Sequence, residues 1–226
     1  MYRDLFLKRV PIFARVSGKE LGDIARIAQQ KKFKKGEYIF YEGEEGECLY
    51  IILSGMVKVF KSATGGRVKT LAILEKGDFL GEMSILDKEI RSATAELLDD
   101  TEVLVLNKRN FEKYLKRNAE MTMKILKTLC SRLRVADRDI HALAFQNVLG
   151  RVAITLINLA HRHGVKTYKG TKIDMKITHQ ELADMVGTAR EMVSRTLLSF
   201  KKNKCIDIDG SVITVTNMKT LKDLIY

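Results

Sequence analysis

The chain has 226 residues, 46% of them hydrophobic and 30% charged, with a net charge of +12 at pH 7. That length suits two modest domains, each able to bury its own core, and no uncharged apolar run approaches a membrane span, which argues against a membrane protein. The positive field points to a polyanionic partner, and half of it lies in residues 146–226, the place to look for a nucleic-acid footprint.

At the N-terminus, Arg3, Asp4, Lys8 and Arg9 interrupt the apolar core a secretory signal would need, so a cytoplasmic location is expected. Leu5–Val10 and then Ser17–Gln30, with Leu21, Ile24, Ala25 and Ile27 at helical spacing, predict helices. From Phe33 glycines separate short β-prone runs: Tyr38–Phe40, Leu49–Leu53, Met56–Phe60, Val68–Leu74, Ser92–Glu96 and Glu102–Leu106. Short strands with turns at such intervals predict an antiparallel barrel or jelly roll.

From Lys108 to Gly150 helix formers take over. Leu126, Leu129, Leu133, Ala136, Ile140 and Leu143 repeat like a and d positions, between Thr122 and Asn147 as polar ends. Pairing of this helix with its own copy is one reading; packing on its own barrel gives a similar stripe, although Arg132, Arg134, Asp137, Arg138 and Asp139 beside the seam suit a helix pair better. Next come a helix over Val152–Leu159, an exposed loop His161–Gly170 and a β-prone stretch Thr171–Ile177. Thr178 with Glu181 reads as a capping box, Gly187–Thr188 as a turn, and Ala189–Lys201 as a second helix. Asp209–Gly210 between Cys205–Ile208 and Val212–Thr216 reads as a hairpin, completing a winged helix.

On the second of these helices, Arg190, Glu191, Ser194 and Arg195 fall on one face and Val193, Leu197 and Phe200 on the other. Arginine's fork can donate to guanine O6 and N7, and a glutamate can accept from cytosine N4, so this face can read a G·C-containing site on double-stranded DNA. Upstream, Gly81-Glu82-Met83-Ser84 is followed by Arg91-Ser92-Ala93. A cation with hydroxyl and small-residue neighbours can hold a phosphate, and Glu82 can accept from a ribose hydroxyl; a turn and a surface ion pair would use the same residues. Cys48, Cys130 and Cys205 are far apart and never C-x-x-C, and His141, His161, His163 and His179 form no convincing ligand set, so neither disulfide nor metal is expected. Protease, hydrolase and P-loop signatures are missing, which argues against an enzyme.

Glu42–Val59, Gly81–Ala93, Leu143–Ala160 and Thr178–Arg195 together resemble the cyclic-AMP receptor (catabolite activator) and fumarate-nitrate regulator family. The resemblance implies an α+β chain with an N-terminal β-roll over residues 1–107, a dimerisation helix and hinge over 108–147, and a winged helix-turn-helix over 148–226. It implies a homodimer without membrane attachment whose cyclic nucleotide sits between β-roll and dimer helix. Glu82 would meet the ribose, Arg91 and Ser92 the cyclic phosphate, and Gly81, Met83 and Ala93 would line the site, with Arg132 and Asp137 of the long helix counted in the ligand set. Arg190, Glu191 and Arg195 would read a half-site similar to TGTGA, with Thr178 and Gln180 on backbone phosphates. RNA polymerase is a further candidate partner.

Two departures bear on these expectations. Ala136-Asp137 stands where the cyclic-AMP receptor has a Thr-Ser pair facing the purine. Asp137 can accept from adenine N6 or from the N1 and N2 edge of guanine, so cyclic AMP is the first expectation, with cyclic GMP and cyclic di-GMP behind it. The four-cysteine iron–sulfur pattern of the oxygen-sensing relatives is absent. Rival readings are a cyclic-nucleotide-binding regulatory subunit that never touches DNA, and a family regulator with an empty pocket or another effector.

Overall fold

The computed structural model describes residues 18–225 together with Leu7, Val10 and Phe13. The helix expected over Leu5–Val10 otherwise lies outside the described residues. The chain packs as two compact units, Met1–Lys61 with Leu71–Arg134, and Ser62–Thr70 with Val135–Tyr226.

The first unit opens with α1 (Gly18–Ile27) and holds β1 (Gln29–Phe33), β2 (Tyr38–Phe40), β3 (Cys48–Ser54), β4 (Val57–Ser62) and β5 (Val68–Leu74) apart from residues 62 and 68–70, then β6 (Phe79–Leu80), the short α2 (Met83–Leu86), β7 (Thr94–Leu97) and β8 (Thr101–Asn107). The strands form two four-stranded sheets, ordered β1-β8-β3-β6 and β2-β7-β4-β5. Between them lie Phe40, Ile52, Val57, Leu74, Leu80, Leu97, Val103 and Val105. Leu49 and Ile51 of β3, and Leu104 and Leu106 of β8, point the other way and pack with Leu21, Ile24 and Phe111. Central strands covered on both faces read as unbroken apolar runs, which is why β3 and β8 stand out in the sequence. Strand β1 does not: Gln29 and Gln30, expected to close a helix, are edge-strand residues paired with β8. Lysines and glutamines on an edge deter unwanted pairing and erase the apolar alternation. Ser92 also falls outside β7, which begins at Thr94.

The helical stretch from Lys108 is broken twice. Asn107 opens α3 (Lys108–Arg117) by accepting from Asn110 N, Asn118 breaks the run and accepts from Met121 N at the start of α4 (Ala119–Phe145), and Asn147 caps α5 (Val148–His163) by accepting from Gly150 N. On α4, Met121 and Ile125 are buried in the first unit and Leu129 packs partly on the same cluster. Leu126, Leu133, Ile140 and Leu143 are exposed, Leu133 and Ile140 by 63% and 64%.

The second unit continues with β9 (Gly164–Thr167), β10 (Gly170–Ile173), α6 (His179–Val186), α7 (Arg190–Lys202), β11 (Ile206–Asp209), β12 (Val212–Val215) and α8 (Met218–Asp223). The stretch expected as a loop to Gly170 instead ends α5 at His163 and forms β9, which pairs with β10 in a sheet ordered β11-β12-β10-β9. All four residues of β9 are exposed, so it carries no buried face to mark it. Val152, Leu156, Leu182, Val193, Leu197, Phe200 and Ile213 form the core of this unit. Among the described residues, no helix is long and apolar enough to cross a membrane.

Candidate functional sites

The β3–β6 pairing places Leu80 opposite Tyr50, so the chain leaves the sheet at Gly81 and enters α2 through Glu82. Gly81 has φ +84°. A Cβ there would stand 2.6 Å from Arg91 Nη1 and 2.8 Å from Cys48 O, so the position excludes any side chain. Gly46 is equally confined, since a Cβ would lie 1.9 Å from Ser84 Oγ.

Arg91 is only 4% exposed. Its Nη1 donates to Gly81 O at 2.7 Å and to Ser84 Oγ at 2.8 Å, and its Nη2 to Cys48 O at 2.8 Å. The guanidinium carbon sits 4.3 Å from the centre of the Phe40 ring and 5.9 Å from that of Tyr50. Its hydrogen-bonding partners are thus two carbonyls and a hydroxyl, and its buried Nε has none among the described residues. Burial holds the Arg91 pKa below the usual guanidinium value and pushes the Cys48 thiol and the Tyr50 phenol above theirs.

Glu82 is 2% exposed and accepts at Oε1 from Arg132 Nη1, 2.7 Å away. Arg132 Nη2 donates to Phe79 O, and its guanidinium lies over the Phe79 ring. The predicted Gly81 and Arg91 thus share one set of hydrogen bonds and Glu82 and Arg132 an adjacent one, joined through the Gly81–Glu82 backbone. Met83 is exposed, Ala93 is buried, and the exposed Ser92 points Oγ toward Met83 Sδ at 3.7 Å. Asp137 is exposed in the part of α4 that belongs to the second unit. Sequence reasoning gave no role to Gly46, Ser84 or the Cys48 carbonyl. Gly46 left a trace in Glu44-Glu45-Gly46 and Ser84 closes the run Gly81-Glu82-Met83-Ser84, whereas a backbone carbonyl has no sequence signature.

In the second unit the expected capping box is present: Thr178 Oγ1 accepts from Glu181 N at 3.1 Å, and Glu181 Oε2 from Thr178 N at 2.7 Å. Gly187 ends α6 in the left-handed conformation, φ 74° and ψ 51°, as a tight turn into the next helix requires. Helix α7 buries Val193, Thr196, Leu197 and Phe200 and exposes Arg190, Glu191 and Arg195, whose side chains form no ion pair among the described residues. Besides Thr178, two predicted contact residues have internal partners: Gln180 Nε2 donates to the buried Asp184 at 2.8 Å, and Ser194 Oγ meets Arg190 O and His179 Nδ1. Among the described residues no group of His, Cys, Asp and Glu could hold a metal ion.

Residues 30–118 match the cyclic nucleotide-binding domain family, and residues 150–224 the Crp-like helix-turn-helix domain family. The chain is 32% identical to the cyclic AMP receptor protein of Thermus thermophilus over 97% of its own length and 99% of that protein. It is 36% identical to the anaerobic regulatory protein of Bacillus subtilis, covering 82% of this chain and 78% of that one. The fold also matches the c-di-GMP responsive global regulator of Xanthomonas campestris with a TM-score of 0.79, at 22% identity, covering 88% of this chain and 99% of the other.

Proposed function

Because the chain belongs to the cyclic-AMP receptor and fumarate-nitrate regulator family of transcription regulators, we propose that it is a homodimer that reads DNA with α7 under the control of a cyclic nucleotide bound at Arg91. The observation that carries the effector half is the state of that arginine. A guanidinium has five N–H donors; three are spent on neutral acceptors and the buried Nε–H has no partner among the described residues. A buried cation without an anionic hydrogen-bonding partner fits a ligand with one negative charge. The cyclic phosphate brings that charge, with Ser92 donating beside Arg91 and Gly81, Met83 and Ala93 lining the cassette. The second oxygen of Glu82 accepts from the ribose, while Arg132 steadies the first and Asp137 addresses the base. Cyclic AMP is the first candidate, as the names of the relatives suggest, ahead of cyclic GMP and cyclic di-GMP.

The exposed leucine and isoleucine stripe of α4 supports the dimer, and the exposed Arg190, Glu191 and Arg195, without an ion pair among the described residues, support readout of a palindrome with TGTGA-like half-sites, with Thr178, Gln180 and Ser194 at the same face. The division of labour is a β-roll to residue 107, a dimerisation helix and hinge over 108–147, and a winged helix from 148, with RNA polymerase as a further partner. Effector binding shifts the chain toward its DNA-competent state only by its differential affinity, commonly about 1–3 kcal/mol of coupling.

Calorimetric titration of cyclic AMP, cyclic GMP and cyclic di-GMP into the wild type and Arg91→Ala tests the pocket. One nucleotide should bind the wild type, stimulate DNA binding, and do neither with the variant, whose salt-sensitive nonspecific binding persists. An unchanged response in the variant refutes the assignment.

A further inference from the structure

Ser194 ties the two helices of the helix-turn-helix together. Its Oγ lies 3.0 Å from Arg190 O, one turn back in α7, and 2.8 Å from Nδ1 of His179, the first residue of α6. A serine hydroxyl has one proton to give. Both contacts exist together only if that proton goes to the carbonyl and the oxygen accepts from an N–H at Nδ1, which fixes the ring's hydrogen-bonding state. Elsewhere these helices meet through apolar side chains such as Leu182, Val186, Val193 and Leu197. Apolar burial is non-directional and leaves sliding and rotation weakly specified, whereas a hydrogen bond with a defined donor does not.

We propose that His179 is a positioning residue for base readout: through Ser194 it sets the register of α7 against the first turn of α6. The proposal rests on the DNA-reading assignment above. It connects the two elements of that face, the first turn of α6 with Thr178 and Gln180 and the reading helix with Arg190, Glu191 and Arg195. Ser194, though its helical angle puts it on the reading face, serves as the post to which His179 is fastened.

The test uses the full-length dimer and a duplex pool with a randomised core. The wild type selects a consensus. His179→Ala binds unselected duplex as the wild type does and melts at a similar temperature, but loses about tenfold in affinity for that consensus, flattening the positions that Arg190→Ala flattens. His179→Asn, whose amide N–H can stand where Nδ1–H stands, recovers most of the loss, and His179→Gln, one methylene longer, does not. An unchanged consensus affinity, a loss shared equally by unselected duplex, or equal recovery by Asn and Gln overturns the proposal. A wild type that selects no consensus overturns the DNA-reading assignment itself, an outcome distinct from a consensus that His179→Ala leaves untouched.

Discussion

Arg132 on α4 donates to the Oε1 of Glu82 at 2.7 Å, so the long helix is fastened to a carboxylate that has almost no contact with solvent. Such a carboxylate depends on its partner, and removing the guanidinium strands it in the interior. Because a third of the Arg132 side chain is exposed, solvent screening reduces the loss below that of a fully buried pair. Arg132→Ala is expected to cost about 1–3 kcal/mol of stability, and Glu82→Gln in the same chain to return most of it. Urea unfolding at neutral pH measures both; a double variant no more stable than the single would show that the stranded charge is not the cause.

The glycines around Arg91 make a second prediction. Gly81→Ala forces a left-handed backbone on a residue with a Cβ, costing roughly 1–2 kcal/mol, and drives that Cβ against Arg91 Nη1 and Cys48 O. Gly46 has no such backbone demand, and its sharpest conflict is with Ser84, ahead of a tight approach to Arg91 Cζ at 3.0 Å. Ser84→Gly should therefore relieve Gly46→Ala and leave Gly81→Ala unrelieved. Thermal melts of the four chains check this, and equal relief of both would contradict it.

How legible these features were depends on whether a side chain advertised its own environment. Strands β3 and β8 are buried on two faces and announced themselves, as did the Thr178–Glu181 capping box, which needs only local spacing. Edge strand β1 and the exposed β9 were hidden because nothing in their composition distinguishes them from a helix end or a loop. Phe79–Leu80 is too short for any period, yet it delivers Gly81 and Glu82 to the site. The break at Asn118 was readable in principle, since an asparagine before a helix is a cap signal, but the run of helix formers from Lys108 masked it; Asn147 stood out as a polar end of the Leu126–Leu143 repeat. That repeat mixed two faces, since Leu129 packs with Met121 and Ile125 while Leu126, Leu133 and Ile140 face outward.

The outward face is where dimerisation can be tested. Leu126, Leu133 and Ile140 are seven residues apart and all exposed, a spacing that keeps them on one seam. A charge at the central position would be buried at the seam of both copies, a cost of several kcal/mol if unpaired. Leu133→Asp should convert a dimer into a folded monomer, because the barrel core does not include Leu133. Sedimentation of the variant against wild type decides it, with circular dichroism to verify folding. A variant that sediments as the wild type does would remove this stripe from the interface.

The face of α7 supplies the last prediction. Arg190 and Arg195 are exposed without a carboxylate partner among the described residues, whereas on an ordinary solvated helix Glu191 would be expected to neutralise one of them across a turn. Leaving both forks free costs nothing in water and keeps them ready for a partner with paired acceptors. Guanine offers such a pair in O6 and N7, so losing the fork should penalise one base-pair position. Arg190→Ala is expected to cost about 1–3 kcal/mol on a site with guanine there and much less on sites without it. Competition binding against duplexes altered one position at a time reads this directly. A phosphate contact would behave differently: every duplex would weaken alike, and the dependence of affinity on salt would become shallower by about one ion. That pattern would move Arg190 from the reading residues to the anchoring ones, leaving Glu191 and Arg195 as the only candidates for base recognition on that face.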